Sequence, residues 1–227
     1  MIDCLRWPLV LRSGRAAAGA DWPQAILTLE PQLRHESMPR EVGLLLPTTD
    51  GPKSLIDAVT ADPGRCEDAM LGLFLASPFL NLALTGSRLN RVGVDWIANL
   101  PSVEQQDQEF SQQLADVGLD RGRELDCLAA FRAQGFKVAA VVADEPGAAA
   151  ALAVEPEAMI VLPRVADFAA GFPSLRQRGA AARSVAAVAR GSGWSGLLLG
   201  LGEASEADHE ALWPEELDGL LCRPQPV

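Results

Sequence analysis

The chain contains very few lysines and no polybasic run. Lys53 and Lys137 are its only lysines, and 30 acidic residues against 19 basic ones give 227 residues a formal net charge of -11. Binding to nucleic acid depends on clusters of Lys and Arg that neutralise phosphates, and binding to an anionic membrane surface depends on similar clusters. The composition therefore predicts a protein that binds neither nucleic acid nor membranes.

Cysteine pairs and long apolar runs are also missing. Cys4, Cys66, Cys127 and Cys222 lie far apart with no Cys-x-x-Cys pair, which excludes the usual zinc and dithiol spacings and predicts small buried or half-buried thiols. No apolar stretch reaches the ~20 residues of a membrane span. Because the first residues are too interrupted by polar groups for a secretory segment, we expect a cytoplasmic protein.

Apolar runs of strand length recur along the chain, in which 48% of residues are hydrophobic. The eight predicted strands cover residues 5–11, 24–29, 71–76, 94–99, 137–142, 158–162, 196–201 and 217–222. Most are apolar at consecutive positions, a pattern typical of parallel strands that are covered on both faces. Segments of helix-favouring composition separate them, at residues 54–61, 78–90, 107–117, 122–134, 146–154, 177–190 and 205–212.

This alternation predicts a single (β/α)8 TIM-type barrel over residues 1–227. The barrel should be lean, with reduced first and last crossover helices. Residues 13–20 are too few for a full helix, and nothing after Cys222 provides an eighth one. An open doubly wound sheet is the alternative fold.

The stretch 94–103 joins a buried strand to a sharp turn, because Pro101 cannot continue a strand ladder. Catalytic groups of α/β barrels lie at such carboxyl strand ends. The long connections 30–52 and 163–177 should open at the same end, where loops of this length usually bind ligands.

The segment Asn99-Leu100-Pro101-Ser102-Val103 resembles the phosphoenolpyruvate hydrolase-like TIM-barrel family, also described as a TIM-barrel signal-transduction domain. That family has Asn-Phe-Pro-Thr-Val at a strand end, followed by the spacing that Asp107, Phe110, Leu114, Gly118-Leu119 and Glu124 reproduce. Further likeness lies in Asp144-Glu145, in Gly43-Leu44-Leu45-Leu46-Pro47 and in Gly19-Ala20-Asp21. The resemblance covers most of the chain and is most specific over residues 78–145. It implies a TIM barrel that acts on a small oxo acid or enol phosphate.

Three carboxyl strand ends depart from the family pattern. Ser77-Pro78-Phe79-Leu80 stands where the family has Asp-Pro-Phe-Arg. Pro163-Arg164-Val165 replaces His-Met-Gly, and Gly200-Leu201-Gly202 replaces His-Gly-Gly. Each change removes a polar group from the end of the barrel that carries the chemistry.

Three sets of residues are candidates for a site. Asn99, Ser102 and Glu145 are the predicted catalytic residues, and His35, Arg40 and Arg164 are the predicted substrate-binding residues. Asp144 and Glu145 could hold Mg²⁺, although Pro146 near the first helical position favours Asp144 as the cap of that helix. Asn99 could bind a substrate oxygen or satisfy the turn's own backbone, and Glu124 could act with a partner or only brace a loop.

Two functions remain open. The first is a hydrolase or lyase that acts on a small anionic, phosphorylated or oxo acid, with Arg40 or Arg164 as the anion clamp. The second is a degenerate barrel that binds a ligand or partner without turnover. The many tryptophans also predict a homo-oligomer, since Trp7, Trp22, Trp194 and Trp213 could cover the thin parts of the barrel in a homodimer.

Overall fold

Eight strands close into one barrel, in chain order, in the computed structural model, which describes residues 3–14, 22–31, 39–45 and 51–224. The strands are β1 (Cys4–Leu11), β2 (Ala25–Leu29), β3 (Ala69–Gly72), β4 (Trp96–Ala98), β5 (Lys137–Val142), β6 (Ala158–Val161), β7 (Leu197–Gly202) and β8 (Gly219–Cys222). The predicted α/β fold, a closed eight-stranded barrel of TIM type, is confirmed.

The direction of β1 differs from the expectation of uniformly parallel strands. β1 pairs antiparallel with both β2 and β8, whereas all other neighbours pair in parallel. Leu11 therefore lies beside Gly219, at the amino-terminal end of the other strands, and the chain re-enters at Ala25 on the same side. Antiparallel neighbours need no helical crossover. The shortness of the connection between β1 and β2 follows from this arrangement.

Apolar side chains fill the interior of the barrel. Leu5, Trp7 and Leu9 alternate inward along β1, while Arg6 and Pro8 between them are exposed. The fully buried Trp7 indole donates to Thr28 Oγ1 at 3.0 Å, so its polar atom is satisfied inside the core. The barrel axis is therefore a packed core and not a pore, as is general for barrels of this strand number.

Seven helices connect the described strands. They are α1 (Arg40–Gly43), α2 (Gly51–Ala61), α3 (Leu82–Arg91), α4 (Gln108–Asp116), α5 (Arg121–Ala133), α6 (Glu145–Ala151) and α7 (Leu175–Gly191). The helix predicted over residues 205–212 is wrong, because two short 3-10 turns, Ala204–Glu206 and Glu210–Leu212, occupy that connection. Trp213 anchors these turns through a 2.8 Å bond from its indole N–H to the Glu206 carbonyl.

Two further predictions concern the cysteines and the membrane. All four cysteines are free, three of them buried and Cys4 half-buried, as predicted. Burial raises the pKa of the Cys222 thiol to about 11. No helix in the described part of the chain combines the length and apolar character that a membrane span requires.

Candidate functional site

The turn after β4 is built on a buried polar network around Glu124. Asn99 donates from Nδ2 to Glu124 Oε2 at 2.9 Å and to Ser102 Oγ at 3.1 Å, and its Oδ1 accepts the Val141 amide at 2.7 Å. Ser102 Oγ donates to Glu124 Oε2 at 2.6 Å, and the Val103 amide donates to Oε1 at 3.1 Å. None of Asn99, Ser102 and Glu124 is more than 1% exposed. The structure thus brings two predicted catalytic residues together and uses their polar atoms to hold the turn.

The pKa of the Glu124 carboxyl is shifted far from its ordinary value. Its burial raises the pKa of the carboxyl to about 7, against the opposing effect of the hydrogen bonds from Ser102, Asn99 and Val103. Perturbed carboxyls of this kind cluster at functional sites but also occur in structural networks. Here every partner of Glu124 belongs to the turn after β4, which matches the predicted role of a loop brace.

Asp144 and Arg164 lie side by side at the ends of β5 and β6. Asp144 Oδ1 accepts the Gly147 amide at 2.9 Å and caps α6, which confirms the predicted capping role. Arg164 Nη2 donates to Asp144 Oδ2 at 2.5 Å. Although partial burial opposes it, the bonds from Gly147 and Arg164 lower the pKa of Asp144. The predicted anion clamp therefore neutralises the predicted metal ligand.

The predicted metal ligands Asp144 and Glu145 are adjacent at the start of α6. Both oxygens of Asp144 are already bonded, and Glu145 is exposed in the first turn of α6. Within residues 3–14, 22–31, 39–45 and 51–224, no three His, Cys, Asp or Glu side chains gather as metal ligands require. Mg²⁺ usually keeps several waters and binds one or two protein carboxylates, so the Mg²⁺ site at Asp144 and Glu145 stays a prediction.

A second ion pair adjoins the first on the same rim. Glu104, in the turn Val103–Gln105, contacts Arg121 at the start of α5. Its other oxygen, Oε2, is buried without a hydrogen-bond partner and faces Gly147, where an added Cβ would lie 2.6 Å away. Charges of alternating sign therefore follow one another across the ends of β4, β5 and β6.

The axial mouth of the barrel is closed by side chains. Leu162 and Leu201, at the ends of β6 and β7, are buried in the cluster that fills the barrel interior, and Phe168 from the following turn is buried in the same cluster. On the other side, α1 covers the mouth with Val42, which also packs against this core. Access along the barrel axis is therefore blocked by apolar groups.

An ion pair holds α1 over the mouth. Glu41, 3% exposed, accepts from Arg223 Nε at 2.5 Å. The guanidinium of Arg223 also stacks 4.6 Å from the Phe172 ring. Arg40, predicted to bind substrate, is half-buried at the start of α1 and has no side-chain partner among the described residues. His35 lies outside the described residues.

An open cleft of about 500 Å³ lies beside the closed mouth, at the carboxyl ends of β2, β3 and β4. Its wall on the β3 side includes Leu73, Ser77 and Phe79, and its wall on the β4 side includes Pro101 and Gln106. Most of the lining is apolar, and Glu30 is the one ionisable group among the described lining residues. Sequence reasoning located this end of the barrel but missed the cleft, because its lining residues come from segments far apart in the chain.

Helix α4 forms the outer wall of the cleft. It has no buried residue, yet Phe110 and Leu114 on one side of it line the cleft. Phe110 is 37% exposed, and Phe79 across the cleft is 80% exposed. Large exposed apolar side chains that share one concave surface mark a binding site more often than scattered ones do.

No protein-family model matches the chain, and a search of curated proteins finds no match either. The resemblance to the phosphoenolpyruvate hydrolase-like family therefore stays a prediction. The fold and the site define an α/β barrel with a closed axial mouth and an apolar cleft beside it.

Proposed function

We propose that this protein is a ligand-binding barrel that holds an uncharged, mainly apolar small molecule in the cleft at the ends of β2, β3 and β4. One contrast carries the proposal: the axial mouth is filled by the protein's own side chains, whereas the cleft beside it is open and apolar. Its volume of about 500 Å³ lies in the range of small-molecule sites, which also combine an apolar lining with few polar groups.

The apolar character of the described lining favours a mainly apolar ligand over the anionic ligand predicted from sequence. Apart from Glu30, none of the described lining residues is ionisable. Two neutral polar groups face the cleft instead. The Gln106 side-chain amide has no hydrogen bond to another described residue, and Ser77 Oγ accepts only a long 3.4 Å bond from the Phe79 amide. A ligand with a hydroxyl or amide group would satisfy them.

A pair of fluorescent probes tests the proposal. N-phenyl-1-naphthylamine is neutral and apolar, and 8-anilino-1-naphthalenesulfonate has the same aromatic body with a negative charge. We expect the native protein to bind the neutral probe with the higher affinity, because the described lining is mainly apolar and a sulfonate loses hydration when it enters such a surface. No binding of the neutral probe, or a preference for the sulfonate, would contradict the proposal.

A matched pair of variants locates the binding site. Leu114→Glu introduces a negative charge into the cleft wall, at a helix that contributes no buried residue to the core. Gln113→Glu introduces the same charge at an exposed position of the same helix. We expect the first variant to lose the neutral probe and the second to bind it like the native protein. Equal affinities of the two variants would place the probe elsewhere.

Enzymatic activity on a small phosphorylated or oxo acid is the second candidate, and the convergence of Arg164 and Asp144 favours it. An anionic substrate could compete with Asp144 for the guanidinium, since Arg164 remains 40% exposed in its side chain. The test is consumption of phosphoenolpyruvate, phosphonopyruvate and related oxo acids with added Mg²⁺, by the native protein and by Arg164→Ala. Turnover that the variant abolishes would establish this function. No turnover by the native protein would remove it.

We also propose a cytoplasmic location. Four free cysteines, three of them buried, suit a reducing compartment, in which disulfides are rare. Cell fractionation of a tagged protein tests this. Recovery outside the cytoplasmic fraction would contradict it.

A further inference from the structure

Two adjacent residues at the start of α5 hold the two walls of the cleft. Arg123 donates from Nε to the Ala76 carbonyl at 2.9 Å and from Nη2 to the Ser77 carbonyl at 3.1 Å. These carbonyls belong to the loop after β3, which supplies Ser77 and Phe79 to the cleft. Because a guanidinium presents its donors in a fixed fork, one side chain fixes two successive peptide groups.

The neighbouring residue holds the opposite wall. Glu124 accepts hydrogen bonds from Asn99, Ser102 and the Val103 amide, all in the turn after β4. That turn supplies Pro101 and Gln106 to the cleft. Neither Arg123 nor Glu124 lines the cleft itself, so each acts on it through the loop that it holds.

The start of α5 is itself well fixed. Asp120 caps the helix by accepting the Arg123 amide at 3.0 Å. One turn further on, Cys127 Sγ donates to the Leu75 carbonyl at 3.4 Å, which adds a contact to the loop after β3. Leu128 and Phe131 are fully buried against the sheet. The helix thus offers a rigid support from which both loops are held.

We propose that Arg123 and Glu124 are positioning residues that set the separation of the β3 and β4 walls, and with it the ligand specificity of the cleft. The effect on ligand binding rests on the proposed function, whereas the positioning of the two loops does not. Substitution of either residue changes no lining side chain. It should free only the loop that this residue holds, and with it the lining side chains of that loop. Binding sites lose affinity when such supporting contacts are removed, even though no ligand contact changes.

Arg190→Ala provides a matched control for Arg123→Ala. Arg190 also donates to two backbone carbonyls, those of Trp194 at 3.1 Å and Gly196 at 2.8 Å, and in addition pairs with Asp218 at 2.8 Å, but at the end of α7 away from the cleft. Its loss therefore removes at least as many bonds as the loss of Arg123. We expect Arg123→Ala to weaken binding of N-phenyl-1-naphthylamine roughly three- to tenfold, as loss of charge-assisted bonds would. Arg190→Ala should keep the native affinity, and Arg123→Lys should recover part of the loss. Equal weakening in both alanine variants would overturn the inference.

Hydrogen exchange supplies a readout that needs no ligand. Arg123→Ala should speed amide exchange in residues 75–79 and leave residues 99–106 protected, whereas Glu124→Ala should do the reverse. This arm decides the inference even if the native protein binds no probe, an outcome that would refute the proposed function alone. Exchange that rises uniformly in both segments, or in neither, would show that the two residues do not hold separate walls.

Discussion

Glu124 should make the stability of the protein fall as the pH rises from about 4.5 to 7. Its carboxyl is fully buried, and burial raises its pKa from the ordinary 4.5 to about 7 in the folded chain. At about 1.4 kcal/mol for each pH unit that separates the two values, the neutral form is favoured by about 3 kcal/mol. Glu104 contributes in the same direction, because its negative charge disfavours a second one nearby.

The direction of the effect follows from which state binds the proton more tightly. Below pH 4.5 the carboxyl is protonated in both states, and its full contribution to stability is present. Between pH 4.5 and 7 the unfolded chain loses the proton first, so the free energy of unfolding decreases. Above pH 7 the folded state must hold a buried carboxylate, and the contribution is lost.

Urea unfolding at pH 5, 6, 7 and 8 measures this effect when the native protein is compared with Glu124→Gln. Groups other than Glu124 titrate in both proteins, so the difference between the two curves isolates this carboxyl. We expect the native protein to lose about 2–3 kcal/mol more than the variant between pH 5 and pH 8, because part of the effect is already lost at pH 5. Parallel curves, or a native protein that gains stability over this range relative to the variant, would refute the assignment of a raised pKa.

Three further predictions concern packing, a loop and assembly. Gly147→Ala should cost about 1–3 kcal/mol, because its Cβ would meet the buried Glu104 Oε2 at 2.6 Å. Gly191→Ala is the control, because a Cβ added there would meet no atom within 4 Å. This variant should be as stable as the native protein, or more stable, in urea unfolding. Arg12→Ala should cost about 2 kcal/mol or more, since Arg12 Nε and Nη2 bond the carbonyls of Leu217 and Pro214, and full rescue by Arg12→Lys would contradict the proposed fork geometry. If the protein is the predicted homodimer, light scattering should give the mass of two chains, and the mass of one chain would refute the prediction. Trp7 and Trp213 are buried within the single chain and are therefore not free to cover a dimer interface.

The strands could be predicted from sequence because burial on both faces leaves a continuous apolar run. The prediction for β5 matches its observed bounds, Lys137–Val142, for this reason. The direction of β1 could not be predicted in the same way, since a run of apolar residues has the same pattern in either direction. A signal was nevertheless present: Arg6 and Pro8 alternate with buried residues, which indicates a strand open to solvent on one face. Such a strand has no covering helix and needs no parallel crossover.

The roles of individual residues in the site were harder to predict from the sequence than the fold was. The capping role of Asp144 could be predicted because it depends only on nearby residues. The carboxylate lies three residues before the helix amide that it accepts, that of Gly147. The pairing of Asp144 with Arg164 joins residues 20 positions apart on neighbouring strand ends. The cleft is harder still, since Leu114 and Gln106 look like surface residues until the loop after β3 is placed opposite them.

The use of arginine explains why a cation at this rim is a weak indication of an anionic ligand. At this rim, Arg123 and Arg178 bond backbone carbonyls of loops, those of Ala76 and Pro173 among them. Arg12 does the same at the opposite end of the barrel, in the connection between β7 and β8, where a crossover helix is missing. A guanidinium can satisfy several such carbonyls at once, whereas an ammonium lacks this fixed fork. Arg164 is different: among the described residues, its guanidinium bonds a carboxylate and no carbonyl. An enzymatic role for this barrel therefore depends on whether a substrate can displace Asp144 from Arg164, and not on the number of arginines around the mouth.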